Sequence, residues 1–328
     1  MYMNYAGLDI HKNFCQTVIC TQNGEIIKEE KIQSNIDSIS EFFSNFEKLN
    51  IAMEASTNYE YIYDTLENIG HNVFLAHPLK TRLIAESKIK TDKIDAKILA
   101  HLLRTNMLPT SYVPPANIRS LRSSVRRRIY LGKMIRQLKN RIHAELLKRG
   151  LSYQNEIFTK NGIKWLESLQ IDSINSYLIM FNTIKNESDK LEKSIKYEAL
   201  KYNQIKLLID IVGIAPYSAA IIYSEIGDIN RFPSENKLFS YAGLVPSVHQ
   251  SGNNIYYGKI TKQGSKYLRW ILVEVIRIHL RFDPDSKLSK YYQKLSKRKP
   301  KNIAIIATSK KLLQIIYHML KNNERYQG

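Results

Sequence analysis

The chain has 328 residues, 44% hydrophobic and 24% charged, the composition of a globular protein with room for two domains. Its 49 Lys and Arg against 30 Asp and Glu leave a net charge of +19, so a polyanion, nucleic acid ahead of membrane, is the first partner to consider. Without a stretch near the roughly 20 apolar residues of a membrane span or an N-terminal signal pattern, a cytoplasmic protein is expected, and Cys15 and Cys20 read as small buried hydrophobes rather than disulfide or zinc cysteines.

Tyr5 to Ile19 reads as a strand, a polar turn and a second strand, and Gly24 to Ile32 continues after the hairpin dipeptide Asn23-Gly24. Asp9 interrupts an otherwise apolar first strand. A carboxylate there is costly to desolvate unless paired, and such groups are often ligands or catalysts. Ile36 to Leu49 has helical periodicity. Ile51-Ala52-Met53 is a short apolar strand ending at Glu54, a helix follows from about Asn58 to Ile69, and Asn72–Ala76 is another buried strand. Three antiparallel-type strands followed by alternating helix and strand make a mixed α/β domain.

After His77-Pro78 comes the stretch from Lys88 to Lys97. Thr91 is a predicted N-cap for a helix carrying Ile94, Ile98, Leu99, Leu102 and Leu103. Asp92 and Asp95 then share one face of its first turns, where the nearby lysines or a divalent metal would offset their repulsion. A solvated first turn is the simpler reading, since Asp favours helix N-termini. With Asp9 and Glu54 on neighbouring strands, however, four carboxylates converge as an oxygen set for a hard divalent cation. That pattern resembles the ribonuclease H-like superfamily and, in its paired terminal acids, the RuvC-type junction resolvases.

Past Pro114-Pro115 the chain is basic and helical. Ile118 to Arg149 carries Arg126, Arg127 and Arg128 among its many cations, either as the solvated face of a long coiled coil or as phosphate contacts. Asp172 to Tyr202 reads as its exposed coiled-coil partner. Two helices meet at Gly213-Ile214-Ala215-Pro216, which resembles a phosphate-binding helix-hairpin-helix with Ala215 in place of a glycine, and a packing turn fits as well. Lys237 to Ala242 is a helix stopped by Gly243. Ser247 to Asn254 reads as a long polar loop, in which Ser251 is either a turn residue or an exposed hydroxyl near cations. Lys259, Lys262, Lys266 and Arg269 follow at the entry to a further helix. The run Lys294 to Lys301, with Lys297, Arg298 and Lys299, fits a phosphate-contacting loop, and Ile303 to Leu320 an amphipathic helix.

YAGLDIHK, MEAS and KTDKIDAKILA in the first part, with GIAPYSAA, SYAGLVP and GKITKQGSKYLRW in the second, resemble the transposases of the IS110/IS1111 family over nearly the whole length. The resemblance implies a RuvC-like DEDD domain over 1–115, a helical coiled-coil and oligomerisation segment over 116–203, and a mainly α transposase domain over 204–328. It carries Asp9, Glu54, Asp92 and Asp95 over as the Mg²⁺ or Mn²⁺ ligands and Ser251, in its Ser-Gly motif, as a nucleophile joining covalently to DNA. It further implies DNA ends and targets, a structured guide RNA and a homo-oligomer, dimer or tetramer. Asn253-Asn254 replace the more usual glycines after Ser251-Gly252. The competing readings are a RuvC-like nuclease using water and a nucleic-acid-binding protein whose acids only cap helices and pair with lysines.

Overall fold

In the computed structural model, which describes residues 4–84, 91–251 and 254–327, the chain divides between Val113 and Pro114 into two units. The first runs β1 (Tyr5–Ile10), β2 (Phe14–Cys20), β3 (Ile26–Gln33), α1 (Ile36–Ser44), β4 (Asn50–Met53), α2 (Tyr59–Ile69), β5 (Asn72–Ala76), α3 (Pro78–Ile84), α4 (Asp92–Arg104) and β6 (Thr110–Ser111). Its sheet has the order β3-β2-β1-β4-β5-β6. The first three strands form an antiparallel meander, β4 and β5 lie parallel to β1, and the short β6 pairs antiparallel at the edge. This is the mixed α/β domain expected. Pro78 opens the separate helix α3 before the acidic helix α4, as suits proline at a first helical position.

The period of two decides which face each residue serves. Ala6, Leu8 and Ile10 of β1 join Ile51 and Met53 of β4 in a core with Ile39, Phe42 and Phe43 of α1 and Ile62 and Leu66 of α2. The opposite face is lined by small residues, among them Gly7, Ala52 and Ala76, and α4 packs there through Ala96, Leu99 and Ala100. Asp9 shares that second face. Both cysteines are buried within β2.

The second unit begins with α5 (Ala116–Lys148), α6 (Lys160–Ser168) and α7 (Asp172–Ala199). Arg128 bonds Glu192 and Ser173 bonds Glu145, so α5 and α7 run antiparallel. After α8 (Asn203–Ile209), α9 (Pro216–Ile226) and α10 (Glu235–Ala242), β7 (Pro246–Ser251) and β8 (Asn254–Ile260) form a hairpin. α11 (Lys266–Phe282), α12 (Lys287–Ser296) and α13 (Lys301–Asn322) complete the chain. One core joins Leu121 and Val125 of α5 and Ile195 of α7 to α8–α13, and a smaller one holds Ile142, Leu146, Ile157, Leu166 and Ile174.

Three expectations are corrected. The predicted polar loop 247–254 is largely hairpin: β7 pairs with β8 through Val248 to Tyr257 and Gln250 to Ile255, although the polar residues of 247–254 read as a loop, and Val248 and Tyr256 are exposed. The basic run from Lys294 is split between the end of α12, the turn holding Arg298 and Lys299, and the start of α13, so it is only in part a loop. Among the described residues α13 alone has the length and composition to cross a membrane, but half of its apolar window is buried, Leu312, Leu313 and Ile316 lying in the core.

His71 is buried just ahead of β5. Its Nδ1 accepts the Leu49 N–H at 3.2 Å and its Nε2 faces the Phe43 carbonyl at 3.2 Å, which the neutral Nε2–H tautomer alone satisfies. Burial holds its pKa below the ordinary 6.5, against a smaller upward pull from the Phe43 carbonyl. The unfolded chain therefore takes up the proton more readily, and the stability due to neutral His71 is present above pH 6.5 and lost as pH falls through the folded-state value. Melting temperatures measured across this range should fall more steeply with acidification in the wild type than in His71→Gln. Parallel curves would contradict this account.

Candidate active site

Asp9 ends up at 5% exposure because it occupies the penultimate position of a central strand. Glu54 follows the last residue of β4, where its N–H donates to the Leu8 carbonyl at 3.2 Å and holds it level with the end of β1. The other two acids arrive on α4. Thr91 caps this helix, its Oγ1 accepting the Ile94 N–H at 3.3 Å, so Asp92 and Asp95 fall in the first turn, where the helix dipole favours anions. Gly7 sets how near that turn comes to the sheet. A Cβ at Gly7 would collide with the Ala96 carbonyl oxygen and stand 2.7 Å from the Ala100 nitrogen. Helix and strand backbones meet there without a side chain between them.

The close crossing assembles the acids in two pairs. Asp9 Oδ2 and Asp92 Oδ1 lie 3.0 and 3.3 Å from His11 Nε2, and one donor atom from each of these three residues falls within 4.8 Å of the others. Glu54 and Asp95 line a cleft of about 280 Å³ together with Thr81, Arg82 and Leu99. Lys93, expected among the lysines offsetting the acids, instead reaches Glu29 at 2.5 Å, while Lys88 and Lys90 lie outside the described residues. A buried carboxylate next to a second carboxylate and an imidazole suits a divalent cation: the donors are hard oxygens with one nitrogen, and the negative charge needs a counter-charge. Asp9, His11 and Asp92 form that donor cluster, and Glu54 and Asp95 line the cleft.

His11 was not among the predicted site residues, although Asp-x-His places both side chains on one face of an extended segment. Its ring stacks on Phe14 at 4.5 Å, its N–H donates to the Phe14 carbonyl, and its carbonyl accepts from Asn58 Nδ2 at 3.2 Å. Asn58 also donates to Ser34 and accepts from Ser56, so a polar network fixes the β1–β2 turn beside the acids.

In the second unit Ser251 is the last residue of β7, paired in backbone register with Asn254; its side chain and the tip residues Gly252 and Asn253 lie outside the described part. The base of the hairpin is locked. A Cβ at Gly264 (φ +93°) would collide with the Tyr241 carbonyl, and one at Gly243 (φ +65°) with the Gln263 carbonyl. Ser265 N–H donates to the Tyr241 carbonyl at 2.8 Å and Arg269 Nη1 to the Ala242 carbonyl at 2.9 Å. The segments around SYAGLVP and KQGSKYLRW are therefore one joint, closing the end of α10 against the start of α11.

That joint rests on Glu225, whose side chain is fully buried. Its carboxylate accepts from Arg126 Nε and Nη2 at 2.8 and 3.0 Å and from Ser265 Oγ at 2.8 Å, and its carbonyl accepts from Tyr241 Oη at 3.0 Å. Ser265 is the N-cap of α11. The predicted phosphate-binding cations thus divide. Arg126 is held by Glu225, Arg128 by Glu192 at 2.7 Å, and Arg269 by the α10 terminus. Arg127, Lys259, Lys262, Lys266, Lys297, Arg298 and Lys299 are exposed. Gly213 (φ +96°) packs against the α11 backbone near Val275 and His279, and the Ala215 N–H beside it donates to Ser218 Oγ at 2.8 Å.

The first unit is a mixed α/β domain with acids grouped at one end of its sheet, and the second is mainly helical with a surface of exposed cations. Residues 6–149 match the family model of the IS110-type DEDD transposases, and residues 205–293 match the model described as the transposase IS116/IS110/IS902 family. Among curated relatives, a probable family 20 transposase of Pseudomonas aeruginosa is 24% identical over 100% of this chain and 99% of its own length. The transposase for insertion sequence element IS1111A of Coxiella burnetii is 23% identical over 98% and 90%, and the pilin gene-inverting protein of Moraxella lacunata 27% identical over 99% and 98%. The chain belongs to the IS110 family of insertion-sequence transposases, and it is a DNA recombinase.

Gly7→Ala should destabilise the first unit by about 2 kcal/mol or more through overpacking, read from denaturant midpoints. A change within about 0.5 kcal/mol would show that α4 yields freely. Arg126→Ala, which strands the buried Glu225, should cost about 2–3 kcal/mol, below the full cost of breaking a buried pair because Arg126 is itself partly exposed. Arg127→Ala at the exposed neighbour should leave the midpoint within about 0.5 kcal/mol.

Proposed function

We propose that the first unit is a RuvC-like catalytic domain in which Asp9, Glu54, Asp92 and Asp95 hold Mg²⁺ or Mn²⁺, and that Ser251 of the second unit is the nucleophile of DNA strand exchange. The observation that carries this is the gathering of all four acids, from two strands and one helix, at one end of the sheet in a chain of the IS110 family. The strand order, with a three-strand antiparallel meander beside two parallel strands, supports the ribonuclease H-like reading.

A divalent ion bound there supplies Lewis-acid stabilisation of charge on a scissile phosphate. The chain's own residues fix the geometry: α4 presents Asp92 and Asp95, β1 and β4 present Asp9 and Glu54, and the His11–Asn58 network holds the adjoining turn in place. Ser251 Oγ would form a bond to phosphorus as a deoxyribose oxygen leaves. One phosphoester replaces another, so rejoining needs no nucleotide cofactor. Its backbone ends β7, in a hairpin whose base is held by the joint between α10 and α11.

The +19 charge and the exposed cations of the second unit support contact with polynucleotide backbone. The same charge suits a structured guide RNA that selects DNA by base pairing, the protein reading shape and backbone. α5 and α7, antiparallel and with Ile179 and Tyr197 exposed on α7, are the proposed coiled-coil and oligomerisation segment.

The test is a denaturing gel of full-length protein with labelled element-end DNA, its flanking RNA and Mg²⁺. A labelled protein band that survives denaturant, disappears on proteolysis and is missing in both Ser251→Ala and Asp9→Ala is the expected result. Cleavage without an adduct, unchanged in Ser251→Ala, would leave a nuclease that uses water.

A further inference from the structure

We propose that His11 Nε2 is a direct ligand of the divalent ion, a nitrogen donor that biases the site towards Mn²⁺ over Mg²⁺. The inference rests on the reading that the acids hold such an ion.

The first observation is the spacing. Nε2 lies 3.0 Å from Asp9 Oδ2 and 3.3 Å from Asp92 Oδ1. Neighbouring ligands about 2.1 Å from one octahedral ion and at right angles stand about 3.0 Å apart, so these separations are those of an octahedron's edge. The second is proton capacity. Nε2 carries at most one hydrogen, yet it faces carboxylate oxygens from two separate elements, β1 and α4. One N–H serves two such acceptors poorly, whereas one cation serves all three atoms.

The third observation is that the ring is already in place. Phe14 stacks on it with the planes 26° apart, and the backbone on both sides of the ring is fixed by Phe14 and Asn58. Little side-chain freedom remains to be lost on binding, which is how metal sites are preorganised. An imidazole among carboxylates also alters selectivity. Mg²⁺ strongly favours oxygen, while nitrogen is a better ligand for transition ions, so losing His11 should weaken Mn²⁺ more than Mg²⁺.

The experiment uses full-length protein, with Mn²⁺ and Mg²⁺ titrated calorimetrically and the Mn²⁺ form examined by electron spin-echo envelope modulation. Wild type should show ¹⁴N modulation that is lost in His11→Gln. Mn²⁺ affinity in that variant should fall about tenfold or more, and Mg²⁺ affinity less than about threefold. Mn²⁺ bound without nitrogen modulation in the wild type, or with modulation that persists in His11→Gln, would overturn the proposal while leaving the acids as ligands. If wild type and Asp9→Asn took up Mn²⁺ equally, the underlying reading of the acids would fail, and this inference with it.

Discussion

The crossing of α4 over β1 is the constraint on which the first unit depends. Two backbones approach until Gly7 has no room for a methyl group, with Ala96 and Ala100 on the helix and Ala52 and Ala76 on the neighbouring strands keeping the contact shallow. The close approach has a direct electrostatic consequence. It carries the first turn of α4, with two carboxylates, to the end of the strand that already holds the buried Asp9. Asp9 is the buried member, and a desolvated carboxylate beside a second anion costs several kcal/mol unless something balances it, whereas Asp92 keeps about half of its side chain in solvent. The arrangement is sensible when a cation supplies that balance.

In the second unit a single buried acid has the comparable role. Glu225 is the meeting point of α5, α9, α10 and α11, and it draws in an arginine, a helix cap and a tyrosine. The excess positive charge is consequently of two kinds. Some arginines are internal fasteners, and their removal acts on folding. Others, with the lysines about the hairpin and the α12–α13 turn, face solvent and are free to act on a polyanion. Net charge does not distinguish the two, and mutational effects on binding have to be read against effects on stability.

What the sequence displayed follows from which signals are local. Asn72–Ala76, the Thr91 cap and the long basic helix ending before Gly150 are set by periodicity and capping within a few residues, and they could be read directly. Asp9, Glu54, Asp92 and Asp95 stood out because acids interrupt apolar strands or pair along a helix. His11 did not stand out. Its importance comes from Asp92, which is distant in the chain and near only once α4 has docked. The β7–β8 hairpin was obscured for a different reason: Ser247, His249, Gln250, Ser251 and Asn254 give β7 and the start of β8 a loop-like composition, and the pairing that makes them strands joins residues across the turn. Arg126 looked like a phosphate ligand because its buried partner, Glu225, lies 99 residues away.

The central claim is that helix docking on Gly7 creates a cation site from Asp9, His11 and Asp92. Crystals of the full-length protein soaked in Mn²⁺ and measured at the manganese absorption edge test it most directly. The account predicts an anomalous peak within about 2.3 Å of Asp9 Oδ2, His11 Nε2 and Asp92 Oδ1. An ordered site with no anomalous density at saturating Mn²⁺, or a peak bound only by other residues, would contradict it.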